Sequence, residues 1–187
     1  MTFLSPRLIA LVLAVPAGTI PTPAAAQVAG GWSMAGAACV PTGQTASGAG
    51  TFNSAGDVGF AAGRTGEVIV TCPVSPSIAR ALNLAVTFRD PDGQANGVRI
   101  TAALRQKNLD SGAVSTVYNA NFDSNAFGPV SGYLRQGVPL AHGLCQGGGF
   151  TFDHAHNAYY VQVNIRRSSA TAQALVASVD LNMIPTC

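Results

Sequence analysis

The feature of this sequence that most constrains its fold is a strict alternation of apolar and polar residues. In residues 82–88 apolar side chains occupy every second position, and the same pattern marks residues 98–104, 159–166 and 175–183. Because successive side chains of a β-strand point to opposite faces, this pattern is typical of strands with one buried face. No segment shows helical spacing of comparable strength.

Several shorter segments complete the set of strands. Residues 68–72 alternate in the same way, and brief apolar patterns surround Phe52, Val114 and Phe150. About seven to nine one-sided antiparallel strands with polar turns describe an all-β fold, an antiparallel two-sheet sandwich of jelly-roll type. The chain of 187 residues is long enough for one domain with its own core.

Two pairs of consecutive strands are expected to form hairpins. Residues 90–93 read Asp-Pro-Asp-Gly, a turn signal in which Pro restricts φ and Gly permits a positive φ. Strand 82–88 should therefore pair with strand 98–104. The two C-terminal strands should likewise pair around residues 167–171.

Two stretches lack the alternation. Residues 41–56 are rich in Gly, Ser, Thr and Ala and predict a loop with an edge strand near Phe52. Residues 119–149 form a longer stretch with aromatic residues among glycines. A loop of that length in a compact domain is usually functional, so a ligand surface is expected there first.

The low charge excludes several classes of protein. Charged residues make up 10% of the chain and the formal net charge is +2, whereas an ordinary globular protein carries about 25% charged residues. A disordered charged tail, a charge-laced coiled coil and a nucleic-acid binder are therefore excluded.

The N-terminus predicts export. Arg7 precedes an apolar run over residues 8–15, and the small residues 24–26 then precede Gln27. This is the order of a signal peptide, here residues 1–26 with cleavage after Ala26. The remaining residues 27–187 form the single sandwich domain, with no further apolar run of membrane length. We expect a secreted or periplasmic protein.

Four cysteines follow the predicted cleavage point, and in an oxidising compartment an even number predicts two disulfides. Three connectivities are open. We favour Cys39–Cys72 and Cys145–Cys187, because each closes the shorter available loop.

Two groups of residues are candidates for cation binding, although no metal or cofactor is assigned. Asp153, His154 and His156 are spaced for a zinc or copper site, with His142 as a further ligand; the alternative is an ordinary polar turn. Asp90, Asp92 and Asn96 around Gly93 resemble oxygen-rich calcium loops, but the EF-hand pattern is not met and a plain β-turn accounts for them.

Catalytic groups are scarce. Glu67 is the only glutamate, no serine lies in an esterase-type elbow, and no catalytic residue is assigned. Trp32, Tyr133 and Tyr160 could form an aromatic platform for a carbohydrate, the alternative being packing in the core.

Two resemblances concern the first half of the chain. Residues 28–36 alternate before Cys39, and with residues 66–72 they resemble the opening of pilus-type subunits, which implies a strand donated to a neighbour. Residues 38–41 (Ala-Cys-Val-Pro), residues 66–73 and the aspartate-bearing turn resemble a loose set of uncharacterised exported bacterial β-sandwich proteins. That resemblance implies the fold and no activity.

Three hypotheses about function follow. The first is a non-enzymatic exported module that contacts an envelope protein or a polysaccharide. The second is a metal carrier or metal-dependent enzyme using His154 and His156. The third is a strand-exchanging subunit.

Overall fold

The structure, a computed structural model, describes residues 31–42, 49–140 and 149–183. The predicted signal peptide, His142, Cys145 and Cys187 lie outside the described residues, so those predictions stay predictions. Among the described residues, no helix is long and apolar enough to cross a membrane.

Just over half of the described residues lie in strands, and the helical content of the described part is limited to single 3₁₀ turns at Gly36–Ala38 and Ser124–Ala126. Eight of the thirteen strands in the described part have four or more residues, which agrees with the predicted number. In chain order the strands are β1 (Trp32–Ala35), β2 (Val40–Pro41), β3 (Gly50–Phe52), β4 (Val58–Phe60), β5 (Gly66–Pro73), β6 (Arg80–Ala81), β7 (Asn83–Arg89), β8 (Val98–Asn108), β9 (Val114–Asp123), β10 (Leu134–Pro139), β11 (Phe150–Thr151), β12 (Asn157–Arg167) and β13 (Leu175–Asn182).

Two antiparallel sheets contain most of these strands, and the fold is the predicted β-sandwich. One sheet has the order β10-β7-β13-β4-β3, with β1 also paired to β13. The other has the order β2-β5-β12-β8-β9. Strands β6 and β11 form a separate short pair.

The core lies between the sheets and is built from the apolar positions of the alternation. Leu84, Val86 and Phe88 of β7 are buried, and so are Val161 and Val163 of β12. Phe88 packs edge-on against Phe122 of β9, with ring centroids 5.1 Å apart. The alternation therefore predicted correctly which side of these strands faces inward.

Both hairpin predictions were wrong. Strand β7 belongs to the first sheet and β8 to the second, and β12 and β13 are divided in the same way. The links, residues 90–97 and 168–174, are long enough to cross the ~10 Å between packed sheets. An alternating pattern specifies the buried face of a strand and not its neighbour, so two strands facing each other across the core look like a hairpin in sequence.

The stretch predicted to be a long loop is partly strand. Residues 119–123 continue β9, and β10 adds an edge to the first sheet by pairing with β7. A bulge in β9 near Tyr118, whose φ is +51°, interrupts the register with β8, and this interruption hides the alternation. Residues 141–148 lie outside the described part.

The N-terminal strand β1 pairs with a strand of its own chain, and the first predicted disulfide joins β5 to the residue before β2. Strand β1 pairs with β13, with Trp32 opposite Leu181 and Met34 opposite Val179. Cys39 is bonded to Cys72, so the predicted pairing of these two cysteines is confirmed. The edge strand expected near Phe52 is β3, at the end of its sheet.

A buried arginine closes the core at the end of β12. Arg167 is 6% exposed, and its guanidinium donates hydrogen bonds to the backbone oxygens of Arg64, Ala61 and Ala172. It also lies 4.7 Å from the centre of the Phe60 ring. Burial lowers the pKa of Arg167, and the three carbonyls offset the cost of removing the charge from water.

Candidate functional site: the outer face of the five-stranded sheet

The outer face of the five-stranded sheet presents an ordered array of polar side chains. Tyr160, Gln162 and Asn164 alternate along β12 with core residues and are half-buried. The array is completed by the outward residues of the two neighbouring strands, and we call it the polar face: Thr71, Thr101, Ala103, Arg105, Tyr160, Gln162 and Asn164.

Strand register arranges the polar face in three rows. Gln162 stands opposite Thr71 of β5 on one side and Ala103 of β8 on the other. Tyr160 stands opposite Arg105 in the row above. On the β5 side, Pro73 stands opposite Tyr160 and Ile69 stands opposite Asn164. Because strands lie about 4.8 Å apart and side chains in these rows are direct neighbours, the amide, hydroxyl, guanidinium and phenol groups share this face with a few apolar residues.

Internal hydrogen bonds leave part of this surface free for a ligand. Gln162 Nε2 donates to Asn164 Oδ1 across 3.0 Å, and Arg105 donates to the hydroxyl of Thr116. The first bond uses neither Gln162 Oε1 nor the N–H groups of Asn164. With respect to the residues that the structure describes, an acceptor and two donors on rigid strands are therefore available within one array.

A cavity of about 500 Å³ lies at one end of the polar face. Its lining includes Glu67, Arg99 and Arg166, and both arginines have carboxylate partners. Arg99 lies 2.6 Å from Asp123, and Arg166 lies 3.6 Å from Glu67. The hydrogen bond from Arg99 lowers the pKa of Asp123. The cavity is thus polar without a large net charge.

The outer face of the other sheet differs because its polar groups bind one another. Ser178 donates to the hydroxyl of Thr87 across 3.0 Å, and Arg135 lies 3.3 Å from Asp180. Ala85 of β7 stands opposite Asp180 on one side and Gly137 on the other. Small side chains and closed pairs offer a ligand fewer contacts than the polar face does.

The three aromatic residues considered as a platform do not share a surface. Trp32 packs at the edge of the core on β1. Tyr133 precedes β10, and its hydroxyl donates to the buried carboxylate of Asp57, a contact that raises the pKa of Tyr133. Tyr160 alone lies on the polar face.

The segment Asp153–His156 is a turn whose polar atoms are already partnered. His156 Nδ1 lies 2.8 Å from Asp153 Oδ2, and His154 Nε2 lies 2.9 Å from the backbone oxygen of Ile78. The His154 ring stacks on Phe152 with an interplanar angle of 9°. The structure thus places the two histidines in separate contacts. Within residues 31–42, 49–140 and 149–183, no group of three or more His, Cys, Asp or Glu side chains could hold a metal ion.

The residues around Gly93 are divided between two environments. Asp90 is completely buried, while Asn96 is exposed and lines the cavity. Asn96 therefore does not lie with the two aspartates.

Sequence reasoning missed the grouping of the polar face. The outward positions of Gln162, Asn164 and Thr101 followed from the alternation, but their juxtaposition depends on β12 lying between β5 and β8. The signal in the sequence was the run of neutral amides and hydroxyls at outward positions, where charged residues are commoner on solvent-exposed strands.

Comparisons with known proteins give few matches. No protein-family model matches the chain, and no curated protein matches it. Among solved structures, a xylan-binding module, CBM15, is 15% identical with a TM-score of 0.42, covering 86% of this chain and 95% of that one. A Podospora anserina GH26-CBM35 β-(1,4)-mannanase is 15% identical with a TM-score of 0.41, and a family two carbohydrate esterase from Cellvibrio japonicus is 13% identical with a TM-score of 0.38.

These similarities are distant. The matches cover 85% and 83% of this chain but 29% of the mannanase and 34% of the esterase, so this chain spans about a third of their length. With TM-scores below 0.5, they carry no argument about this chain, whose fold and site rest on its own geometry.

Proposed function

We propose that this chain is an exported, non-enzymatic β-sandwich that binds a neutral polysaccharide through the polar face. The observation that carries the proposal is the three-row array itself, in which Tyr160, Gln162 and Asn164 occupy successive outward positions of β12. Thr71 stands opposite Gln162, and Thr101 stands opposite Asn164. Sugars offer hydroxyls to donors and acceptors and an apolar ring face to an aromatic side chain.

The dimensions of the surface favour a polymer over a single sugar. The distance along β12 from Tyr160 to Arg166 is six residues, or about 20 Å at the rise of a strand. The cavity bordered by Arg99 and Arg166 lies at the far end. A ligand that contacts both Tyr160 and the cavity must therefore be extended.

Export is supported by the disulfide and by the sequence of residues 1–26. A Cys39–Cys72 bond is expected to persist in an oxidising compartment. The proposal excludes turnover, because the polar face holds no carboxylate beside a second acid that could protonate a glycosidic oxygen.

The test is affinity electrophoresis and calorimetry of the purified protein against a panel of soluble neutral and acidic polysaccharides. We expect binding to a neutral polymer, affinity that rises with oligosaccharide length, and little change between low and high salt. Loss of the ring in Tyr160→Ala should weaken binding about tenfold, and Gln162→Ala should also weaken it. Tyr133→Ala, an exposed tyrosine outside the polar face, serves as the control.

Three outcomes would overturn the proposal. They are no binding to any polymer of the panel, release of reducing sugars by the pure protein, and binding that Tyr133→Ala removes while Tyr160→Ala leaves it unchanged.

A further inference from the structure

The link between β7 and β8 buries two carboxyl groups. Asp90 is completely buried and Asp92 is half-buried. One oxygen of each is used by the backbone: Gly93 N–H donates to Asp90 Oδ1 across 3.0 Å, and Val98 N–H donates to Asp92 Oδ2 across 2.9 Å. The other two oxygens, Asp90 Oδ2 and Asp92 Oδ1, are buried and have no hydrogen-bond partner among the described residues.

A third buried oxygen without a hydrogen-bond partner among the described residues belongs to Asn125, in the 3₁₀ turn after β9. Asn125 Nδ2 donates to the backbone oxygen of Ala95 across 3.1 Å, which holds this amide against the β7–β8 link. Its Oδ1 is also buried, and it too lacks a partner in the part of the chain that the structure describes. Two elements far apart in sequence thus contribute buried oxygens with no donor.

The carboxyls of Asp90 and Asp92 are neighbours, and neither takes part in an ion pair among the described residues. The ion pairs found in residues 31–42, 49–140 and 149–183 involve other acids, namely Glu67, Asp123, Asp153 and Asp180. Two adjacent carboxylates in such a setting are costly unless a cation accompanies them.

We propose that Asp90, Asp92 and Asn125 bind a calcium ion, with water completing its coordination. All three donors are oxygens, which calcium prefers, and the group contains no His or Cys for a softer metal. Calcium also accepts irregular coordination from loops more readily than magnesium, which demands near-ideal octahedral geometry. The ion would connect the β7–β8 link with the 3₁₀ turn that follows β9.

The surroundings support a closed site. A Cβ on Gly93 would lie 2.5 Å from the backbone nitrogen of Pro129, and Val130 N–H donates to the backbone oxygen of Asp90 across 2.7 Å. The segment after the 3₁₀ turn therefore covers the link. A cation held between them would be screened from bulk water, which strengthens its interaction with the carboxylates.

The experiment measures calcium binding by the full protein after treatment with a chelator. Calorimetry should give a dissociation constant on the order of 10⁻⁴ M, typical of extracellular modules with few carboxylate ligands. At about 10 mM calcium chloride the melting temperature should rise by about 3 to 10 °C. Sodium chloride at matched ionic strength should not produce this rise, and magnesium should produce a smaller one.

Variants locate the site. Asp92→Asn and Asn125→Ala should each weaken calcium binding about tenfold or more, as expected for loss of one ligand. Asp110→Asn, the same charge change in an exposed turn, should bind like the unmodified protein. Because Asp92 also accepts a backbone hydrogen bond, Asn125→Ala tests the site if Asp92→Asn fails to fold.

Several outcomes would overturn the proposal. The first is no heat of binding and no change in melting temperature, which would mean that the two carboxyls share a proton instead of a cation. The others are equal responses to calcium and magnesium, and calcium binding that both variants leave unchanged. Polysaccharide binding is measured separately on the polar face, so the two proposals can fail independently.

Discussion

Residues 90–93 and 153–156 are two aspartate-bearing turns in which the sequence indicated possible cation binding, and each adjoins an aromatic cluster. In the second turn the imidazoles and the carboxylate are exposed or already partnered. In the first, buried carboxyl oxygens have no partner among the described residues. The turn with the more suggestive residue types is therefore the less suitable site, because a polar atom in a turn is available for a ligand only if its neighbours do not already use it.

The aromatic clusters differ in burial as well. Phe88, Phe122 and Phe127 form one cluster, with Phe88 and Phe122 fully buried. Phe150, Phe152 and Tyr159 form the other, with centroids 4.9 Å apart for Phe150 and Phe152. Phe150 of this second cluster is half-buried and contacts the exposed Tyr118. We therefore expect the first cluster to contribute more to the free energy of unfolding than the second.

The largest predicted effect comes from the two clusters. Phe122→Ala should lower the free energy of unfolding by about 3–5 kcal/mol, because it leaves a cavity among fully buried rings. Phe150→Ala, the matched change in the other cluster, should cost about half as much since its ring is partly solvated. Urea unfolding of both variants measures the difference; an equal or larger loss for Phe150→Ala would contradict it.

The next effect concerns how tightly the first turn is covered. Gly93 has φ +57° and lies against the backbone of Pro129, whereas Gly112 has φ +71° and open space around it. Gly93→Ala should cost about 3 kcal/mol, from backbone strain and the contact together. Gly112→Ala should cost about 1–2 kcal/mol from strain alone. Thermal unfolding compares them, and equal losses would show that the contact with Pro129 is unimportant.

A smaller effect separates the two histidines. His154→Ala loses the hydrogen bond to Ile78 and the contact with Phe152, which should cost about 1–2 kcal/mol. His156→Ala removes an exposed side chain and should change the stability by about 0.5 kcal/mol or less. Zinc added to the unmodified protein should not raise its melting temperature. A rise in melting temperature that both variants abolish would instead support a metal site at His154 and His156.

The smallest effect is a pH dependence at the second turn. The hydrogen bond with His156 is the main cause that lowers the pKa of Asp153 below the ordinary value of an aspartate. Since the folded pKa lies below the unfolded one, this stabilisation is present above the unfolded value and is lost as the pH falls through the folded pKa. His156→Ala should raise the pKa of Asp153 toward the ordinary value of an aspartate, as followed by NMR of the carboxyl carbon. An unchanged titration would show that the pair does not form in solution.

Much of the fold could be predicted from the alternation, and the pairing of strands could not. The inward positions of Leu84, Val161 and Leu181 were readable because burial of one face imposes a period of two. Strand β8 pairs with β9, which follows it directly, and with β12, which lies far from it in the chain. Short-range turn signals such as Asp-Pro-Asp-Gly indicate where the chain bends, not whether it returns in the same sheet or crosses to the other.

The candidate sites show the same division. Tyr160 and the pair Asp90 and Asp92 were identified from residue type, whereas Gln162, Asn164 and Asn125 were not. Asn125 becomes a candidate only because the 3₁₀ turn after β9 lies beside the β7–β8 link, where its amide binds Ala95.

The sequence by itself determined a sandwich of one-sided strands with few charges and favoured the pairing of Cys39 with Cys72, because these depend on local periodicity, composition and loop length. Only the tertiary structure decided which strands are neighbours, which polar residues share a face and which oxygens are left without a donor. The reason is physical: a side chain's hydrogen bonds and charge partners are set by everything packed around it, and in this fold most of those partners come from distant parts of the chain.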